Sequence, residues 1–266
     1  MYLRAIHADA TIPALQQLIR KNPLGVLTTC IPSLSHPKLQ SSHIPFILDA
    51  PDDNESAAEL GVLRGHLARA NPQSKSMMDE VRSRFPSNDA DATTTRAQFL
   101  EEEVLVLFTA AAQHYVTPKF YTETKPATGK VVPTWNYAAA QVYGRARIYY
   151  DATSEESGAF LSRQIRDLSR HAEVDLMGHD GVDGPGAWEV SDAPDRYIEV
   201  LQKNIIGIEI QIDRLEGKFK MSQEMGVGDR EGVIRGFESL GTEVGTEMAK
   251  VVRERGEMRD SRKTGA

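Results

Sequence analysis

Apolar residues along this chain recur in two rhythms. In the first half they come in short runs bounded by Pro, Gly, Asn or Asp. "LGVLTTC" (24–30), "SSHIPFIL" (41–48), "GVLRGHLA" (61–68) and the start of "EVLVLFTAAAQHYV" (103–116) each predict a strand. Helical spacing appears in "TIPALQQLIRK" (11–21), where Leu15, Leu18 and Ile19 share a face and Pro13 suits the first turn. Residues 73–82 predict a further helix, and 153–173 another, with Thr153 or Ser154 as its cap and Leu161, Ile165 and Leu168 on one side. Ser191 or Asp192 caps a helix that turns Tyr197, Ile198 and Leu201 inward. "IIGIEIQI" (205–212) reads as a buried strand, continued by the extended "LEGKFKMSQ". "GDREGVIRGFESL" reads as a helix, and the chain after Gly241 as a polar tail or frayed helix.

The sharpest alternation lies at 142–150. Val142, Gly144, Ala146, Ile148 and Tyr150 fall on one parity, and Tyr143, Arg145, Arg147 and Tyr149 on the other. One face is small and apolar, and the other sets two arginines between two tyrosines. Strands dominate the first half and helices interrupt the second, which is not the regular order of a doubly wound sheet. Closely spaced antiparallel strands with peripheral helices predict a small β-barrel, an architecture without free sheet edges. The expected organisation is one domain over 1–240, a tail over 241–266, a turn-rich acidic loop at 49–60, and a mobile polar insertion at about 84–102.

Composition narrows the function. With 40% hydrophobic residues the chain can bury a core, and its net charge of -7 argues against non-specific nucleic-acid binding while leaving a local basic patch open. A single cysteine excludes an intrachain disulfide and points to a reducing compartment; Cys30 reads as a small residue of a core strand. No stretch is long and apolar enough for a spanning helix, and the N-terminus lacks a signal-peptide core, so the expected location is cytoplasmic. There is no G-x-S-x-G elbow and no phosphate-binding P-loop. Gly226 and Gly228 fail as a dinucleotide fingerprint because Glu231 takes the third glycine's place. The histidines show no zinc spacing, and no metal site is expected. No catalytic acid, base or nucleophile stands out.

Two segments carry candidate chemistry. In "GVLRGHLARANP" (61–72) Arg64 and His66 share a strand face, with Arg69 and Asn71 following where a helix begins. Arginine forks and helix N-terminal N–H groups bind phosphate, so this is a candidate anion cradle; a solvated strand face with an Asn-Pro turn is the alternative. Around "KVVPTWNY" (130–137) the rings of Trp135 and Tyr137 stand beside Lys130, Arg145 and Arg147. Aromatics next to cations can stack on a planar ring and neutralise an anion, as a flavin requires. They are equally suited to a dimer interface. The Glu216, Lys218, Lys220 strand reads as a solvated or interface strand.

Taken together, "LRGHLARANP", "YVTPKFY", "GKVVPTWNYAAAQVYGR", "VSDAP" and "IIGIEIQIDRLEGKFKMSQ" resemble the hallmark segments of the PaiB-like FMN-binding family, in the same order over roughly residues 1–238. The resemblance implies an FMN-binding split β-barrel, similar to pyridoxamine phosphate oxidases and flavin reductases, and a homodimer with FMN between subunits. It implies phosphate contacts from Arg64, His66, Arg69 and Asn71, with Ser42 and His43 on the preceding strand also in reach. Trp135, Asn136 and Tyr137 would line the flavin or the dimer seam, and the Tyr/Arg face of 143–149 would meet the partner. The chain departs from the family pattern at Ser74, Gln141 and Glu224.

Three functions follow as expectations. One is a flavin-dependent oxidoreductase. The second is a negative transcriptional regulator acting through cofactor or partner binding, since no helix-turn-helix or basic stripe supports direct DNA contact. The third is a non-catalytic barrel dimer with a vestigial flavin site.

Overall fold

The computed structural model describes residues 1–51, 59–84, 99–182 and 184–264. Most of the acidic loop at 49–60 and of the insertion at 84–102 lies outside the described residues. In chain order the elements are β1 (Ala8–Asp9), α1 (Ile12–Lys21), β2 (Leu24–Cys30), β3 (Leu39–Pro45), β4 (Ile47–Asp49), β5 (Val62–Ala68) and α2 (Pro72–Arg84). There follow β6 (Val104–Thr109), β7 (His114–Val116), α3 (Thr124–Thr128), β8 (Thr134–Tyr149) and α4 (Glu155–Arg170). The last are α5 (Asp195–Gln202), β9 (Ile205–Lys220), α6 (Val227–Glu238) and α7 (Glu243–Thr264). The chain divides into two compact units, one of Ile12–Phe108 with Gln141–Leu215, the other of Met1–Thr11, Thr109–Ala140 and Glu216–Ala266. Among the described residues, no helix is long and apolar enough to cross a membrane.

The first is a barrel unit. Its strand path is β3-β2-β6-β8-β9-β5-β4, and the pairs of known register run antiparallel. The two ends of that path, β3 and β4, are joined through Phe46 alone. A sheet whose first and last strands are separated by one residue has to curl back toward itself, which gives the split-barrel form. Phe46 is fully buried and meets Phe108 edge-on at 6.0 Å. Gly65 makes room for it, since a Cβ there would sit 2.9 Å from the Phe46 ring. Val142, Gly144, Ala146 and Ile148 are all buried, as the alternation predicts, and so are Ile206, Ile208, Ile210 and Ile212. Gly144 lies under β9, where an added Cβ would stand 2.0 Å from the Gln211 carbonyl oxygen.

Several expectations are corrected here. The run 41–48 is two strands, broken at Phe46, and 103–116 divides into β6 and β7. Cys30 ends β2 in an exposed position. On α5, Tyr197 and Leu201 are exposed, and only Ile198 of the expected inward set is half-buried. Arg147 and Tyr149 are buried within the chain itself and are not an open face.

The second is a terminal unit. In it β1 pairs with the end of β9 (Ala8↔Lys218), and β7 with the start of β8 (Tyr115↔Trp135). The residues after Gly241, expected as a polar tail or frayed helix, form the 22-residue α7. It packs on α6, burying Met248, Ala249 and Val252 beside Val233, Ile234 and Phe237. Arg255 of α7 reaches Asp9 of β1 at 2.5 Å and lies 3.4 Å over the Phe219 ring.

Candidate functional site

In the barrel unit, Asn71 and Ser42 come together. Asn71 caps α2: its Oδ1 accepts from the Gln73 N–H at 2.8 Å, and Pro72 takes the first helical position, where no N–H is needed. Its Nδ2 donates to Ser42 Oγ at 3.2 Å. Gln73 continues the attachment, donating to Leu27 O, Thr29 Oγ1 and Gln40 O at 3.0–3.2 Å. The positive end of the α2 dipole is thereby fixed against β2 and β3. The neighbouring Ser74 Oγ is buried without a partner.

His43 points to the other face of β3, since it alternates with Ser42. Register sets it in a row with Val26 and Leu107, beside a second row of Ser41, Thr28 and Leu105. Thr28 Oγ1 and Ser41 Oγ are hydrogen-bonded at 2.9 Å. Val26, Leu105 and Leu107 are each half-buried, so this face is apolar yet incompletely covered.

The three other residues of the expected cradle lie elsewhere in this unit. Arg64 is 2% exposed, and its fork grips Asp49 at 2.5 and 2.9 Å, Asp167 at 2.9 Å and Gln164 at 3.2 Å. Burial works against its charge, but the two carboxylates outweigh it and raise its pKa. His66 is half-buried with Nδ1 unpartnered, and burial pushes its pKa down, which favours the neutral ring. Arg69 donates to the carbonyls of Tyr150 (2.6 Å) and Lys203 (3.2 Å) and lines a cavity of about 160 Å³ with Ser157, Gly158 and Leu161.

The end of the Tyr/Arg parity of β8, Arg147 and Tyr149, forms a second buried network, while Tyr143 is half-buried and Arg145 exposed. Arg147 donates to Tyr149 Oη at 2.9 Å and to Glu156 at 2.7 Å, and the Tyr149 hydroxyl donates to Glu209 at 3.2 Å. The Tyr149 ring stacks on Phe160 of α4 at 4.0 Å. Burial, reinforced by Glu209, pushes the Tyr149 pKa up to about 12. Sequence reasoning missed Asp49, Gln164, Asp167 and Glu209. The one local signal was parity: Glu209 stands directly opposite Arg64 in the β5–β9 ladder.

In the terminal unit, Asn136 is fully buried and exchanges hydrogen bonds with Ser222 at 3.0 and 3.2 Å. Ser222 holds φ at +58°, and Gln223 secures the same turn by accepting from Met221 N and donating to Phe219 O and Ile6 O. Asn136 therefore serves the turn, while its neighbours Trp135 and Tyr137 take the outer parity. Trp135 is half-exposed and meets Tyr115 edge-on at 6.3 Å. Lys218 Nζ stands 5.4 Å over the Tyr137 ring, and Lys220 Nζ donates to Thr134 Oγ1 and to Trp135 O. Lys130 is exposed in the loop before β8. A Glu224 carboxylate oxygen lies 3.0 Å from His7 Nε2.

A flavin needs a flat ring surface and donors for its phosphate. Within the barrel unit the anchored N-terminus of α2 offers phosphate donors, and within the terminal unit the half-exposed Trp135 offers a flat ring surface. Among the described residues, no group of three His, Cys, Asp or Glu side chains is placed to hold a metal ion.

Comparison with known proteins gives the family. Residues 1–214 match the family described as "Putative FMN-binding domain". An uncharacterized protein of Aspergillus fumigatus is 59% identical over 266 residues, covering 98% of this chain and 100% of that one. The Bacillus subtilis protein named "Protease synthase and sporulation protein PAI 2" is 22% identical over 256 residues, 96% of this chain and 98% of that one. Among solved structures, a flavocytochrome from Azotobacter vinelandii aligns over 82% of this chain and 72% of its own, with 9% identity and a TM-score of 0.43. On the family match over residues 1–214, the chain belongs to this FMN-binding family, and FMN is its cofactor.

Proposed function

We propose that the protein is an FMN-dependent oxidoreductase that works as a homodimer. Bound FMN supplies the electron-transfer chemistry; the protein binds and orients it. Asn71, Ser42 and the N-terminus of α2 hold the phosphate, and His43, on the half-covered face with Val26 and Leu107, lies toward the ring and the second copy. The observation that carries this reading is the Asn71–Ser42 contact at a helix N-terminus that three Gln73 hydrogen bonds anchor to the sheet. Arg64 does not enter the phosphate contacts, because its donors are engaged by Asp49, Asp167 and Gln164.

The test is a visible spectrum of the purified protein before and after incubation with FMN and removal of the excess, together with its mass in solution. Retained flavin bands, a dimeric mass and reduction by a nicotinamide donor are expected. Asn71→Ala should weaken FMN affinity about tenfold, the loss of one charge-assisted contact. A colourless protein that does not hold FMN, or an unchanged affinity in Asn71→Ala, would overturn the assignment. Flavin retained without reduction by any donor would shift the reading to a cofactor-sensing regulator.

A further inference from the structure

Arg69 donates to neither Asn71 nor Ser42 and instead borders a cavity of about 160 Å³. The walls of that cavity are the end of β8, the first turns of α4 and the end of α5, all within the barrel unit. Pockets that hold a cofactor-sized ligand measure roughly 300–1,000 Å³. This one has room for a small molecule and not for a flavin. The buried side chains of Tyr149 and Leu161 form its apolar side.

The guanidinium on this wall is held by uncharged groups. Arg69 donates from Nη2 to the Tyr150 carbonyl at 2.6 Å and the Ile205 carbonyl at 3.4 Å, and from Nε to the Lys203 carbonyl at 3.2 Å. Its Nη1 meets the Met78 sulfur at 3.4 Å, a weak acceptor. Burial, and after it Arg82, lower the Arg69 pKa, while Asp151 opposes them. The Asp151 carboxylate is occupied by the Thr153 N–H at 2.9 Å and Thr153 Oγ1 at 2.7 Å. A guanidinium fixed by carbonyls, with one nitrogen left for an oxygen ligand, is preorganised for a carboxylate. Ser157 lines the same cavity, is 1% exposed, and has its Oγ buried with no partner. That carries a cost which a ligand oxygen in reach would recover. Lys203, exposed at the rim, adds a second positive charge. Gly158 leaves the wall open, since an added Cβ there would meet nothing within 4 Å.

We infer that this cavity binds a small carboxylate with a short apolar body, its carboxylate on Arg69 and its body against Leu161 and Tyr149. The site is separate from the flavin contacts of Asn71 and Ser42 and does not rest on them. Two sources share that chemistry, a simple organic acid and an α-amino acid. Glu199, exposed on the same wall, would meet the ammonium group of the second.

Isothermal titration calorimetry of the full chain with propionate, benzoate, benzamide and L-alanine tests this. A carboxylate should bind saturably with a Kd below about 1 mM. Benzamide, which has the shape of benzoate without its charge, should bind about tenfold more weakly than benzoate or not at all. Propionate or benzoate bound in preference to L-alanine identifies an organic acid. L-alanine binding that weakens about tenfold in Glu199→Gln identifies an amino acid. Arg69→Gln should weaken the bound carboxylate about tenfold. Gly158→Leu has room for its side chain and a better helix former in place of glycine, so it should fold, obstruct the cavity and abolish binding while flavin retention stays unchanged. It decides if Arg69→Gln fails to fold, which melting temperatures show. No saturable binding of any carboxylate, equal affinity for benzoate and benzamide, unchanged affinity in Gly158→Leu, or displacement of the carboxylate by FMN would overturn the inference. None of the first three bears on flavin retention by Asn71 and Ser42.

Discussion

Arg64 shows how far a single residue's role depends on neighbours remote in sequence. In the chain it sits in "LRGHLARANP" and reads as a phosphate ligand. In the fold it is the centre of an ion cluster whose carboxylates come from 15 and 103 residues away. No local pattern foretells those partners, whereas Asn71-Pro72 marks the place where a helix begins, and that much was legible. Arg64→Ala should therefore destabilise the protein by about 1.5–3 kcal/mol, because a buried guanidinium with charge-assisted hydrogen bonds is lost while Asp49 and Asp167, each about a third exposed, keep Arg163 as a counter-charge. Chemical denaturation measures it, and a change below about 1 kcal/mol would contradict the cluster's role. Tyr149 gives a pH prediction. Its hydroxyl titrates at about 12 in the folded chain against an ordinary 10. The raised value means its contribution is fully present below pH 10 and is lost as pH rises through 12. Stability against denaturant should fall along that alkaline limb, and Tyr149→Phe should make the limb shallower.

At the scale of elements, strands and helices with a strong period were readable. β2 falls on the run 24–30, and α1 and α4 lie within a few residues of their patterns. The stretch 130–150 reads as a long strand and β8 fills 134–149 of it, while the strand at 205–212 and its extended continuation are one strand, β9, to Lys220. α7 was hidden. Its buried stripe is narrow, Met248, Ala249 and Val252, among charges spread around the helix. Parity also misled at the end of β8, because Arg147 and Tyr149 look open until Glu156 and Phe160 of α4 are laid over them, while Arg145 stays exposed. The apolar parity held, and Gly144 is its tightest point. Gly144→Ala would drive a methyl group to within 2.0 Å of the Gln211 carbonyl and force β8 and β9 apart. The variant should be recovered mainly in the insoluble fraction; soluble protein with an unchanged melting temperature would mean the ladder gives way easily there.

For the molecule as a whole, family and cofactor rest on the match over residues 1–214, while the barrel form rests on connectivity, the path that begins at β3 and ends at β4. That path has a consequence for synthesis. β5 pairs with β9, Ala68 opposite Ile205 and Val62 opposite Gln211. A nascent chain that has left the ribosome only as far as α5 carries β5 without that neighbour, and its apolar face has no closed core to enter. Local helices can form early, but the barrel must wait for the last of its strands, and folding is governed by contacts of long sequence separation. During that interval the open side of β5 is available to other chains. Cells that make this protein must carry it through most of its translation as an unfinished sheet.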